Sequence, residues 1–280
     1  MKTTCTKTKL LAITLGDPCG IGPEITAKSL SAMPRERLER LVIVGPRQAF
    51  DSSSAFPARF EDIGVNGPFP AGSVCRKGGA AAIAAIEKAH ELCLSGACAG
   101  MITGPIGKKA IRLAGSPFSG HTDMLGALTR AAETRMAMFL DDWRVVMTTL
   151  HISYRDVLNR LTFQSLMETL WLAHEAFSGD RRPFPRVAVG GLNPHAGEDG
   201  LFGDEETFII RPAIREFQKV NPNVAGPFPC DSLFKKEMRD SFDAFIAHTH
   251  DQGLIAIKTL GGIRCVNVTL GLPYIRTSVG

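Results

Sequence analysis

A chain of 280 residues, 44% hydrophobic and 21% charged, is long enough for one large or two moderate globular domains. Its net charge of +4 is dispersed, without a Lys/Arg block or a basic strand interleaved with aromatics, which excludes a nucleic-acid binder. No apolar run approaches the ~20 residues of a membrane span, and the short run in MKTTCTKTKLLAITLG is not a signal peptide. Seven scattered cysteines (5, 19, 75, 93, 98, 230, 265), with no Cys-x-x-Cys, read as reduced, mostly buried thiols of a cytoplasmic protein.

In chain order, Leu10–Leu15 predicts a buried strand that runs into Gly16-Asp17-Pro18-Cys19-Gly20-Ile21-Gly22 and a helix from Pro23 to Ser31. Leu41–Val44 is a second strand. Residues 51–76, rich in Ser, Pro and Gly, form loop with room for one short strand. An Ala-rich helix spans Gly78–Ser95, followed by a strand at Gly100–Thr103 and a helix to Leu113. This alternation predicts a mainly parallel sheet covered by helices. A further helix opens at His121. Strands follow at Met136–Leu140 and Val145–Leu150, and helices at Tyr154–Arg160 and Phe163–Phe177. Then come a strand at Val187–Gly190, a helix at Glu205–Lys219, and strands at Ala244–Ala247, Leu254–Lys258 and Val266–Thr269.

Candidate chemistry gathers just after predicted strands: His151 after VVMTTL, His195 after VAVGGLNP, His248 and His250 after AFIA. Open α/β sheets place ligands at that end. Three such imidazoles suit one divalent cation with positions left open for substrate oxygens. Asn193-Pro-His-Ala-Gly-Glu198 forces a turn with His and Glu on it. Asp251 either fixes the tautomer of an imidazole or is a solvated turn residue. His90 and His174 lie mid-helix as ordinary packing residues. The loop GDPCGIGPE lacks the G-x-G-x-x-G spacing; it is either a tight turn or a set of backbone N–H groups for a phosphate or cofactor. Lys258, Asn267 and Arg276 on strand-like segments face a bound anion, or pair with acids such as Asp231 or Glu24.

Eight motifs in order, ITLGDPCGIGPE, ITGPIGKKAI, FSGHTD, HISYRDV, GLNPHAGEDGLFGDEE, PCDSLF, HDQG and VNVTLGLPYIRTS, resemble the PdxA family, the 4-hydroxythreonine-4-phosphate dehydrogenases of vitamin B6 biosynthesis and their sister enzymes. The resemblance runs from Leu11 to Gly280. It implies an α/β fold similar to the isocitrate/isopropylmalate dehydrogenases: two α/β/α domains, mixed sheets and a central cleft. Residues 1–118 with 262–280 would form the cofactor-side domain, and residues 119–261 the metal-binding and dimerisation domain. It implies a divalent metal (zinc, magnesium or cobalt) on His151, His195 and His250. A phosphorylated hydroxy acid would meet His121, Thr122, Lys258, Asn267 and Arg276. Lys258, His121 and Asp231 would serve catalysis, in a homodimer with its active site at the subunit interface. NAD or NADP would oxidise the substrate, 4-phosphooxy-L-threonine, with decarboxylation; Gly16, Asp17, Gly20 and Gly22 are the candidate cofactor contacts.

D-threonate or D-erythronate 4-phosphate is the alternative substrate. Two departures from the family pattern stand out. His248-Thr249 replaces a Met-Tyr-type pair before HDQG, and on a strand His248 and His250 would share a face. Relatives also continue beyond this point with a His-Gly-Thr-Ala cofactor loop. A metal- and anion-binding homologue impaired in catalysis is therefore the alternative of another class.

Overall fold

The structure, a computed structural model, describes residues 9–50, 56–180 and 182–279; Cys5 lies outside them. The chain forms two compact units, Met1–Ala132 with Leu272–Val279, and Glu133–Gly271. These bounds differ from the 118 and 261 expected from sequence, and burial gives the reason. Met124 and Leu125 pack in the core of the first unit, whereas Val268 and Leu270 pack in that of the second.

In the first unit, β1 (Leu10–Thr14) leads to α1 (Gly22–Ser31), α2 (Arg35–Leu38), β2 (Leu41–Gly45) and β3 (Arg59–Asp62). Next come α3 (Arg76–Leu94), β4 (Cys98–Thr103), α4 (Lys108–Leu113) and α5 (His121–Thr129), and the C-terminal strand Ile275–Val279 returns to pair with β4. Strand order is β3-β2-β1-β4 and then the C-terminal strand, all parallel. Alternate strand residues point to opposite faces. Ala12, Val42 and Val44 pack with Ala85, Ile86 and Ala89 of α3, whereas Ile13, Leu41 and Ile43 pack with Leu30 of α1 and Phe50. A parallel sheet buried on both faces needs near-continuous apolar strands, and LVIV and LLAIT supply them.

The second unit holds β5 (Arg135–Leu140), β6 (Trp143–Met147), α6 (Tyr154–Arg160), α7 (Phe163–Phe177) and β7 (Val187–Gly190). A single π turn, Glu206–Ile210, leads into α8 (Arg211–Phe217), then β8 (Val224–Phe228), α9 (Cys230–Leu233), α10 (Lys236–Ser241) and β9 (Ala244–Ala247). The unit ends with α11 (His250–Gly261) and β10 (Val266–Leu270), so the C-terminal strand is β11. Strand order is β10-β5-β6-β9-β7-β8. β5 runs antiparallel to β10 and β6, while β6, β9, β7 and β8 are mutually parallel. Val146, Val189 and Ile246 face α7 and α8; Val145, Met147 and Phe245 face α11. Each fully buried side chain of this size contributes about 1.5–3 kcal/mol by leaving water.

Two expectations are corrected here. Glu205–Lys219 is not one α-helix: the π turn precedes α8, where Pro212 has no N–H to return to the preceding turn. Leu254–Lys258 is not a strand but the middle of α11. A strand would put Ile255 and Ile257 on one face, yet Ile255 is 65% exposed and Ile257 fully buried. Leu254 and Ile257, three apart, form the buried helical stripe.

Candidate active site

Strands β6, β9 and β7 are parallel neighbours, so the loops leaving their C-terminal ends emerge along one edge of the second unit's sheet. Those connections carry His151 and His195, and His250 opens the helix α11 just beyond β9. The rings of His151 and His250 approach to 5.5 Å between centroids, tilted by 44°. Both line a cavity of about 230 Å³ with Tyr154, Thr249 and Asp251.

His250 is held from the side. Its Nδ1 lies 2.7 Å from Asp251 Oδ1, and the Tyr154 hydroxyl donates to Asp251 Oδ2 at 2.9 Å. The hydrogen bonds from His250 and Tyr154 lower the Asp251 carboxyl below its ordinary value, and the same carboxylate raises the Tyr154 phenol. A carboxylate on Nδ1 fixes the tautomer and leaves Nε2 as the nitrogen for a ligand. The backbone beneath is fixed by a capping box: Thr249 Oγ1 accepts from Gln252 N, and Gln252 Oε1 accepts from Thr249 N. The amide of Gln252 then donates to the carbonyls of Gly191 and Leu192 at 3.1 and 3.2 Å, tying the start of α11 to the loop that carries His195.

His248 does not share a face with His250, because β9 ends at Ala247 and His250 already begins a helix. His248 is wholly buried, with Nε2 2.8 Å from Gly190 O and Nδ1 3.4 Å from Thr148 Oγ1. Burial pushes it down to about 4, partly opposed by the bond to Gly190. It is a neutral core residue whose ring nitrogens are both engaged.

The loop bearing His195 is unusual. His195, Ala196, Gly197, Glu198 and Asp199 all take positive φ (53°, 53°, 81°, 43° and 54°), a conformation costing roughly 1–2 kcal/mol for each residue other than glycine. Glu206, 1% exposed, holds it. Its Oε1 accepts the N–H groups of Leu192 and Asn193 at 2.7 and 2.8 Å, and its Oε2 the Asn193 amide at 2.9 Å. Burial alone would raise the Glu206 carboxyl, but these donors outweigh it and the net shift is downward.

The donor set suits a borderline divalent cation, since neutral imidazoles are its usual ligands. The structure brings His151 and His250 together and gives His250 the outer-sphere carboxylate expected of a ligand. Among the described residues it does not draw His195 or any other His, Cys, Asp or Glu into a group of three.

In the first unit, His121 is the first residue of α5. One side of its ring bonds to the Gly104 backbone, while the buried Nε2 has no hydrogen-bond partner. Burial and then the charge of Arg276 push it down to about 3. Its neighbour Thr122 is half-buried. Arg276, on β11 and 2% exposed, donates Nε and Nη2 to Thr103 Oγ1 at 3.2 and 2.7 Å. Burial pushes the guanidinium down to about 10, so it stays charged at neutral pH. A charged guanidinium beside an imidazole with an open lone pair suits an anion that also carries a hydroxyl.

The four candidate cofactor residues divide. Gly16, with φ +72°, and Gly22 are required by packing: a Cβ would fall 2.2 Å from Pro105 O and 1.9 Å from Leu15 O, respectively. Asp17 is buried and accepts the N–H of Cys19 at 2.9 Å. Only Gly20 of the four is exposed, lining a cavity of about 400 Å³ with Pro18, Pro23 and Phe69. The loop is therefore a packed strand-to-helix turn, with Gly20 turned toward that cavity. Lys258, expected on a strand, is exposed on α11; Asp231 is exposed on α9. Asn267 on β10 donates to Met136 Sδ at 3.3 Å and keeps a buried Oδ1 without a partner.

Sequence reasoning passed over Tyr154, Glu206 and the bridging role of Gln252. The last was readable: Thr249-x-x-Gln252 before an apolar run is a helix-start signature. Glu206 and Tyr154 act through contacts 13 and 97 residues away along the chain, which no local pattern encodes.

An α/β scaffold that delivers imidazoles to one edge of neighbouring parallel strands is the framework of a small-molecule enzyme. The family model described as "Pyridoxal phosphate biosynthetic protein PdxA" matches residues 26–280, and the chain belongs to that family. A 4-hydroxythreonine-4-phosphate dehydrogenase from Beijerinckia indica is 39% identical, with 96% of this chain and 86% of that protein covered. A D-threonate 4-phosphate dehydrogenase from Salmonella typhimurium is 36% identical, covering 97% and 90%. The crystal structure of a 4-hydroxythreonine-4-phosphate dehydrogenase from Klebsiella pneumoniae superposes with a TM-score of 0.85 at 35% identity, covering 96% and 90%. The chain is thus an oxidoreductase of a dehydrogenase family, which implies a nicotinamide cofactor.

Proposed function

We propose that this protein oxidises 4-phosphooxy-L-threonine with NAD or NADP and a divalent cation, with loss of carbon dioxide, in pyridoxal 5'-phosphate biosynthesis. The observation that carries this reading is the Arg276–His121 pair within a family of phosphorylated-hydroxy-acid dehydrogenases. Arg276 binds the anionic phosphate, and Thr103 holds the guanidinium in one orientation. His121, kept neutral, accepts a hydrogen bond at Nε2 from a substrate donor, with Thr122 beside it. Spending phosphate binding on orientation of the distant carbon lowers the barrier to reaction.

Oxidation of an alcohol requires its proton to leave as hydride departs, and Lys258 carries that proton. Asn267 keeps the role of substrate contact. His151, His195 and His250 are the residues proposed to hold the cation, with Asp251 and Tyr154 orienting His250 and Glu206 orienting the His195 loop. The chemistry such a cation supplies is Lewis acidity toward the hydroxyl and the resulting ketone. Hydride acceptance is the chemistry the nicotinamide supplies.

The working form is proposed to be a cytoplasmic homodimer. Leu201, Phe202 and Phe208, 72%, 46% and 71% exposed, flank the His195 loop in sequence and suit a covering second copy, which exposed Asp231 would also reach. The test is a spectrophotometric assay for reduced cofactor with 4-phosphooxy-L-threonine or D-threonate 4-phosphate, over several divalent metals. Turnover of the first substrate is expected. Preference for D-threonate 4-phosphate would transfer the reading to the sister activity. No turnover of either, with no nicotinamide binding by calorimetry, would overturn the enzyme reading.

A further inference from the structure

Two cysteines distant in sequence meet in the first unit, away from every residue assigned above to substrate or metal. Cys19 lies in the β1–α1 turn and Cys75 is the N-cap of α3; their sulfurs stand 3.5 Å apart. Gly78 makes the meeting possible. A Cβ there would sit 3.0 Å from Cys19 Sγ, 3.5 Å from Cys75 Sγ and 2.7 Å from Asp17 Oδ1. The backbone keeps the two segments together, since Gly72 N donates to Cys19 O at 2.8 Å.

We propose that Cys19 and Cys75 form a reversible thiol–disulfide site, with half-exposed Cys75 as the attacking sulfur and buried Cys19 as the resolving one. The oxidant class is a small-molecule disulfide such as glutathione disulfide. The Cys75 thiolate attacks one sulfur of that disulfide and expels a glutathione thiolate. Cys19 then attacks the mixed disulfide, gives up its proton and releases the second glutathione as a thiol. Two protein thiols are oxidised and one external disulfide is reduced, so atoms and electrons balance.

The environments match these roles. Cys75 Sγ accepts the N–H of Gly78 at 3.3 Å, and that bond, followed by the Cys19 contact, lowers its thiol below the ordinary value. A thiolate at the N-terminus of a 19-residue helix is the reactive form. Burial, then the bond to Cys75, pushes Cys19 up to about 11, which keeps it protonated until an adduct is beside it. Burial raises Cys93 and Cys230 to about 12 and Cys98 upward as well, and Cys265 is buried at 3% exposure, so Cys75 is the thiol set apart among the described residues.

The test uses the full chain in glutathione buffers of graded redox ratio, read by non-reducing peptide mass mapping. Wild type should yield a Cys19–Cys75 linked peptide that dithiothreitol removes. Cys19→Ser should instead accumulate a stable glutathione adduct on Cys75, and Cys75→Ser should yield neither. Before oxidation, iodoacetamide at neutral pH should label Cys75 at least about tenfold faster than Cys93, Cys98 or Cys230. Both thiols remaining free in excess glutathione disulfide, or a bridge between other cysteines, would overturn the proposal. So would identical adduct patterns in wild type and Cys19→Ser.

Discussion

His121 and His250 occupy the same local position, the first residue of a helix, and the structure gives them opposite surroundings. The helix of His121 has no side-chain cap; its ring is enclosed beside a guanidinium and held neutral. His250 follows a full capping box, stands half-buried at a cavity, and leans on a carboxylate. The ring of one is conditioned by burial and a positive neighbour, that of the other by a hydrogen-bonded negative neighbour. Their difference teaches that the chemical role of an imidazole is set by the second residue it meets. Here those second residues are Arg276 and Asp251.

The largest expected effect comes from removing that neighbour in the first unit. Arg276→Ala should lower kcat/KM for the phosphorylated substrate by roughly 100-fold, about 3 kcal/mol for truncating a buried charged group, while leaving the nicotinamide KM unchanged. Steady-state kinetics with each reactant varied decides it; equal losses on both reactants would refute the phosphate role. The same change should let the His121 imidazole titrate closer to its ordinary value, visible by NMR of the ring protons.

On the other side of the comparison, His250→Ala and His195→Ala should each cut bound divalent metal, weakening affinity by more than the roughly 10–100-fold that loss of an outer-shell partner alone costs, read by competition with a chelating dye. If only His250→Ala does so, His195 is not a ligand and the geometry around His151 and His250 stands without it.

A smaller effect is expected at Glu206. Glu206→Ala leaves the N–H groups of Leu192 and Asn193 without their acceptor, and should lower stability by about 1–3 kcal/mol in urea titration. Glu206→Gln, which keeps an acceptor oxygen, should recover part of this. An unchanged midpoint in both would show that the left-handed loop holds itself.

The smallest is a pH effect. His248, depressed from 6.5 to about 4, binds fewer protons folded than unfolded. Its folded form is therefore penalised progressively as pH falls from about 6.5 toward 4, and the penalty is absent above that window. His248→Gln should flatten the dependence of the melting temperature on pH in that interval relative to wild type. His121 adds a slope of the same sign, extending toward pH 3, so the flattening should be partial.

Much of this was legible in the chain. The alternation of apolar runs with turn signals gave β1, β2, β7, β9, α6 and α7 within a residue or two, because both faces of each sheet are covered and strands must be apolar throughout. The histidines at strand ends were legible for the same reason: a strand of four to six apolar residues must stop where the chain leaves the core. The error at Leu254–Lys258 shows the limit. LIAI suits a buried strand or one stripe of a helix equally well, and only the cap two turns upstream of Lys258 distinguishes them.

The sequence by itself determined the α/β class, the family and the positions of the candidate chemistry, because periodicity, turn residues and motif spacing are properties of neighbouring residues. Tertiary structure alone decided which imidazoles are neutral, that the Tyr154 hydroxyl steadies the Asp251 carboxylate, and that His248 belongs to the core. Those properties depend on burial and on partners brought within 3 Å from 58 to 97 residues away. Local sequence carries no record of the dielectric or the charge that such a partner provides.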